Sequence, residues 1–172
     1  MADLDELLAG DVAEHGPVPE SLMEEVPQAW PDPHAATDAQ AQPAAPLVLD
    51  SEGLSKAATG DRRVVAWIAP ARERQLPLVV NAVTLTEALH GGGGGGARVH
   101  LLTKNAHVDT VDANFASEAG RLLGRTRRSN TVDALVATAA IRLNRPTTIL
   151  TSDARDLGPL TSEYPLVRVV PI

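Results

Sequence analysis

The chain contains no cysteine. Disulfides and thiolate metal sites are excluded with it, and a reducing cytoplasm is the expected home. Aromatic residues are almost as scarce, at 2 % of the sequence, so the core has to rest on Leu, Val, Ile and Ala. Base stacking is thereby excluded as the main way of holding a nucleic acid. No uninterrupted apolar run approaches the roughly 18 residues that a membrane span needs. The acidic start, Met1–Glu6, lacks the basic residues and following apolar run that mark a secretory signal. Positive charge is missing from the front of the chain. Residues 1–46 hold ten acids and neither Lys nor Arg, while all 15 Lys and Arg fall in residues 47–172 beside 12 acids. The overall −7 therefore hides a strongly acidic segment and a mildly basic one, which suggests two parts with different jobs.

At 172 residues and 44 % hydrophobic, the chain is long and apolar enough for one domain with a sizeable core plus an appendage. Within residues 1–30, the stretches 3–9 and 20–29 have helix-forming composition. Pro19 sits where a first-turn proline is tolerated, and Pro27 limits the second stretch. Residues 31–46 carry four prolines among Ala, Gln, Asp and Thr and read as an extended linker. No repeat of 20–50 residues is present.

From Leu47 onward short apolar runs alternate with helical stretches. Strands are expected at Leu47–Asp50, Leu78–Val80, 107–111, Thr147–Thr151 and Val167–Val170, the last closed by Pro171. Helices are expected at 51–58, 62–75, Val83–His90, 97–104, 112–123 and Thr131–Leu143. Asp112 is expected to N-cap its helix, Pro70 to break or kink the second one, and Gly91–Gly96 to form a flexible loop. Strands alternating with helices predict an α/β layer fold with a mostly parallel sheet, and strands without clean alternation predict helices on both of its faces.

Ligands of open parallel sheets bind beyond the carboxyl ends of the strands. Asp50 directly follows Leu47-Val48-Leu49, and Asp153 follows Thr147–Ser152. Glu87 lies about two turns into the helix after Leu78–Val80, and Asp133 lies in the first turn of the helix before Thr147–Thr151. Parallel strands put helix N-termini and strand C-termini at one end of the domain, so all four carboxylates can converge there. Singly, each has a plain reading: Asp50 as a strand-end cap, Asp133 as an acid favoured by the helix dipole, Asp153 as the cap of the turn before Arg155–Leu157, Glu87 as a solvated helix residue. Gathered together they raise one another's pKa, and a cluster that stays ionised needs a hard cation such as Mg²⁺ or Mn²⁺. A pair of such ions suits phosphodiester hydrolysis.

The segments Leu47–Gly53, Thr84-Leu85-Thr86-Glu87-Ala88-Leu89, Asn130-Thr131-Val132-Asp133-Ala134-Leu135-Val136-Ala137 and Leu150-Thr151-Ser152-Asp153-Ala154-Arg155-Asp156-Leu157 resemble the PIN-domain ribonucleases, in particular the VapC-like toxins of toxin–antitoxin pairs. The resemblance runs over nearly all of residues 47–172. It implies a three-layer α/β/α fold with a parallel sheet of about five strands, Mg²⁺- or Mn²⁺-dependent cleavage of RNA, frequent homodimers and a cognate antitoxin. Asp50, Glu87, Asp133 and Asp153 then correspond to the catalytic, metal-binding acids. Thr131, Thr151 or Ser152 would orient them or a water, with Asp156 as a further acid. The hexaglycine after Glu87 and the acidic front segment depart from the family pattern.

Other features point less far. Gly91–Gly96 satisfies Gly-x-Gly-x-x-Gly but follows no strand and lacks a Gly-Lys-Ser/Thr ending. The five histidines, His15, His34, His90, His100 and His107, have no zinc-ligand spacing. Glu52 stands where an aspartyl phosphatase wants a second Asp. Arg125, Arg127 and Arg128 precede Asp133 and read either as contacts to RNA phosphates or as a solvated basic loop. Residues 1–30, with Leu22, Met23, Val26 and Trp30 at roughly helical spacing, read as an antitoxin-like segment that packs on the basic part of the catalytic domain and obstructs RNA, or as a disordered acidic tail. Two rivals to the ribonuclease remain: a catalytically weak PIN-fold module that binds RNA or protein, and a structure-specific DNA nuclease.

Overall fold

The structure is a computed structural model that describes residues 45–90 and 96–172. Among them stand five strands, β1 Leu47–Leu49, β2 Leu78–Asn81, β3 His107–Asp109, β4 Thr147–Thr151 and β5 Val167–Pro171. Seven helices join them: α1 Ser51–Thr59, α2 Arg62–Glu73, α3 Ala82–His90, α4 Gly96–Lys104, α5 Ala113–Thr126, α6 Thr131–Arg142 and α7 Ala154–Thr161. All neighbouring strands are parallel, in the order β3-β2-β1-β4-β5. Chain order runs outward from β1 to β3, then restarts on the other side at β4, so the crevice between the carboxyl ends of β1 and β4 is the place where such a sheet takes a ligand.

Side chains of successive strand residues point to opposite faces, and here both faces are buried. Leu47, Leu49, Leu78, Val80 and Leu150 pack with Leu54 and Ala57 of α1, Val64, Trp67 and Ile68 of α2, and Val99 and Leu102 of α4. On the other face Val48, Val79 and Ile149 pack with Leu122 of α5, Val136, Ala137 and Ala140 of α6, and Leu157 and Leu160 of α7. Phe115 and Ala119 of α5 close against Ala134, Leu135 and Ala139 of α6. The result is the expected three-layer α/β/α arrangement with a five-stranded parallel sheet.

The differences from expectation are local. Pro70 does not break α2, which runs to Glu73. Pro70 lies in the last turn and forgoes the N–H bond back to the Ala66 carbonyl. Burial of Val64, Val65, Trp67, Ile68 and Ala71, at about 1.5–3 kcal/mol for each large side chain, outweighs it. Where the sequence suggests only a turn before Arg155–Leu157, Ala154–Thr161 forms the helix α7. Its eight residues include Gly158 and Pro159, both poor helix formers, yet Leu157 and Leu160 are fully buried and Asp153 caps it. β3 stops at Asp109, and α5 runs on to Thr126 before Arg127 ends it in the left-handed conformation at φ 54°. β5 includes Pro171, which pairs with Thr151 and is tolerated because β5 is an edge strand. Gly96 opens α4 rather than belonging to the loop. The rest of the glycine run and the helices expected in residues 1–30 lie outside the described residues.

Candidate metal centre

Asp50 leaves β1 and caps α1, accepting a hydrogen bond from the Gly53 N–H on Oδ1. That cap requires glycine at position 53: a Cβ there would stand 2.9 Å from the Leu150 carbonyl oxygen and 3.0 Å from Asp50 Oδ1. Asp50 is buried, and burial raises its pKa. The Thr151 hydroxyl and the Gly53 N–H oppose that rise, nearby Glu52 adds to it, and nearby Lys56 lowers it. Lys56 itself is fixed by Nζ donating to the Ile172 carbonyl at 3.0 Å.

Thr151, at the end of β4 and fully buried, serves two carboxylate residues at once. Its hydroxyl donates to Asp50, and its oxygen accepts the Asp153 backbone N–H at 2.8 Å. Asp153 then caps α7, accepting the Asp156 N–H. One threonine therefore sets the spacing between the acids that follow β1 and β4.

Asp133 sits in the first turn of α6, where Asn130 supplies the cap by accepting the Val132 and Asp133 N–H groups. Its carboxyl is pushed up to about 6. Burial is the largest cause, followed by the negative charges of Asp153, Asp156, Asp50 and Glu87. The acids singled out from the sequence thus meet electrostatically at Asp133, from four different elements. Glu87 and Asp153 are exposed at this rim.

The remaining candidates divide. Arg128 reaches the rim and pairs with Asp156 at 3.1 Å. Arg125 turns away, donating to the Tyr164 hydroxyl and lying over its ring at 6.0 Å from the centroid. Arg127 is the exposed last cap of α5, Thr131 is the exposed first residue of α6, and Ser152 is exposed between β4 and Asp153. Two residues were missed. Gly53 is one. The other is Asn81, fully buried at the carboxyl end of β2. Its Oδ1 accepts the Val83 N–H at 2.9 Å, and its Nδ2 has no partner among the described residues. The available signal was its place: it ends a strand of an open parallel sheet, as Asp50 does.

Asp133 provides the test of whether a divalent cation suits this place. Its Oδ2 is buried without a hydrogen-bond partner among the described residues, beside four other carboxylates whose charges it feels. Unscreened negative charge and hard oxygen donors suit Mg²⁺ or Mn²⁺. No three His, Asp or Glu side chains among the described residues are grouped tightly enough to hold an ion as they stand. The donor set fits such a cation in kind.

No family model matches the chain, and no curated protein matches it. Among solved structures it is similar to a chain of VapBC2 from Rickettsia felis, crystallised bound to a DNA fragment from its promoter. The TM-score is 0.56 at 14 % identity, over 74 % of this chain and 98 % of that one. The likeness is one of fold, and the fold is PIN-like. No helix among the described residues is long and apolar enough to cross a membrane.

Proposed function

We propose that the chain is a divalent-metal-dependent endoribonuclease, a hydrolase of RNA phosphodiester bonds. The convergence on Asp133 of the charges of Asp50, Glu87, Asp153 and Asp156 at the carboxyl edge of the sheet carries this reading. Bound Mg²⁺ or Mn²⁺ would activate water and offset the charge that builds on the phosphodiester. Asp50, Glu87, Asp133 and Asp153 are the residues that would hold it. Thr151 keeps Asp50 and Asp153 at a fixed spacing, and Gly53 lets the chain turn tightly enough for Asp50 to face the rim. Arg128, paired with Asp156, would meet a backbone phosphate, with Arg127 beside it. The likeness to a VapBC complex supports a toxin role with a cognate antitoxin partner; a homodimer in the cytoplasm belongs to the same proposal without support from that likeness.

Cleavage of total RNA by the wild type and by Asp133→Asn, with Mn²⁺, Mg²⁺ and EDTA, tests the reading. Cleavage that needs the cation and vanishes in the variant is expected. A second reading, a catalytically weak module that binds RNA or protein, is favoured by the absence of a tight three-ligand group among the described residues. RNA binding without cleavage under either cation would establish it.

A further inference from the structure

Away from the acidic rim, α5, α6 and the approach to β5 frame an open groove of about 760 Å³, lined among others by Arg121, Leu122, Arg125, Ile141 and Tyr164. A second hollow of about 260 Å³ continues it past the same Ile141 and Tyr164 to Arg145 and Leu166. Its chemistry is mixed in a particular way. Leu166 is 44 % exposed, the one exposed large hydrophobic side chain among the described residues. Arg121, Arg125 and Arg145 have no carboxylate partner among those residues, whereas Arg128 and Arg142 are paired with Asp156 and Glu118. Glu118 also lines the groove, but it is the acid that pairs with Arg142; the apolar floor bordered by three cations without acid partners asks for an amphipathic, acidic occupant.

The same chain carries one. Val18–Trp30 contains Leu22, Met23, Val26 and Trp30 at roughly helical spacing, with Glu20 before them, Glu24 and Glu25 among them and no basic residue. The described chain starts at the right place to deliver it. Pro46 accepts a hydrogen bond from the Thr148 N–H at 3.1 Å, so the chain joins the sheet beside the start of β4, next to Arg145 and the lower end of the groove. Fourteen residues lie between Trp30 and Ala45, a reach of up to about 50 Å. We propose that Val18–Trp30 docks in cis into this groove, with its apolar side chains over Leu122, Ile141, Tyr164 and Leu166 and its glutamates against Arg121, Arg125 and Arg145. The docking surface stands independently of any catalytic activity. On the ribonuclease reading, docking also withholds from RNA the arginines that lead up to Arg128 and the rim.

The absence of cysteine makes the test clean. Two full-length variants are oxidised side by side, Met23→Cys with Gly124→Cys and Met23→Cys with Glu73→Cys. A Cβ at Gly124 meets nothing within 4 Å, so the groove accepts the change. Glu73 ends α2 near Pro77, whose carbonyl bonds the Leu47 N–H. It therefore lies near the same chain start but on the other side of the sheet, and it is flanked by Arg72 and Arg74. An intramolecular disulfide is expected to form at least about 10-fold faster at position 124 than at 73. Adding Arg121→Glu with Arg125→Glu is expected to remove the difference. Equal rates at the two positions would overturn the proposal. So would disulfide-linked dimers whose yield rises with protein concentration, since the segment would then be reaching a second copy. None of these outcomes depends on RNA cleavage, so the nuclease reading stands or falls separately.

Discussion

The two edges of the sheet are built from different residues. Where the strands begin, Pro46, Pro77 and Pro146 stand immediately before β1, β2 and β4, and Pro165 two residues before β5. Where they end stand Asp50, Asn81, Asp109 and the Thr151–Asp153 turn. Parallel pairing gathers all beginnings on one side and all ends on the other. Proline at a strand's start fixes the backbone and gives up an N–H that no ladder requires. The opposite edge collects buried or crowded polar groups: Asp50 and Asp133 both with raised pKa values, and Asn81 Nδ2 and Asp133 Oδ2 both without partners among the described residues. One edge serves the fold. The other caps helices with Asp50, Asn81 and Asp153 and in addition holds crowded or unpartnered polar groups that cost the fold stability.

The largest expected effect separates the edges by activity. On the proposed function, Asp50→Asn and Asp133→Asn each lower metal-dependent RNA cleavage at least about 100-fold, since the cation's transition-state stabilisation is worth several kcal/mol. Initial rates in saturating Mn²⁺ measure this, and retained cleavage in Asp133→Asn would remove the site from the carboxyl edge. Next comes Thr151→Val, which keeps the shape but removes the hydroxyl between Asp50 and Asp153. Losing such a support of the ligating residues weakens metal binding by roughly 10–100-fold, as titration calorimetry with Mn²⁺ would show. An unchanged affinity would mean that each acid is positioned without it.

Most of this edge was legible before the structure because strand ends and helix starts coincide in parallel α/β folds. Asp50, Asp133 and Asp153 each sit within three residues of an apolar β or helical run, so the sequence alone places them. What was not legible depended on tertiary packing. α7 forms despite Gly158 and Pro159 because Leu157 and Leu160 find a buried face, information that lies in α6 and β4 and not in the segment itself. Pro70 is tolerated for the same kind of reason. Asn81 ends β2 as Asp50 follows β1, but an amide carries no charge to single it out in the sequence, and its complete burial comes only with the fold. Arg125 and Arg128 are three positions apart, yet one faces Tyr164 and the other Asp156. The left-handed turn at Arg127 between them accounts for that.

Stability against pH sharpens the comparison from the other direction. The Asp133 carboxyl titrates near 6 in the fold against an ordinary 3.8, so between those values the folded chain binds a proton that the unfolded chain has released. This group therefore favours folding more as pH falls from about 6 toward 4, and it costs stability in its charged form above 6. Without metal at pH 7.5, Asp133→Asn is expected to be the more stable protein, by on the order of 1 kcal/mol after allowing for solvent screening. Melting temperatures of both proteins in EDTA from pH 4 to 8 check the sign. Wild-type stability at or above the variant's at pH 7.5 would show that Asp133 is not strained.

The smallest effect belongs to the beginning of the strands. Pro146 is exposed, and its neighbours hold the turn through the Thr147 hydroxyl donating to the Arg145 carbonyl at 2.9 Å. Replacing it by alanine leaves that bond possible and mainly frees the unfolded chain, which costs about 0.4–1 kcal/mol. The Pro146→Ala protein is expected to melt a few degrees lower and to cleave RNA at the wild-type rate below its melting temperature, the mirror image of Asp133→Asn. A loss of cleavage with the melting temperature unchanged would break the division, because it would mean that the start of β4 reports to the acids through the five residues of the strand. The rigid pairing of β4 with both β1 and β5 argues against that transmission: a change in backbone freedom at Thr147 is absorbed by its own hydrogen bond to the Leu166 carbonyl before it reaches Thr151.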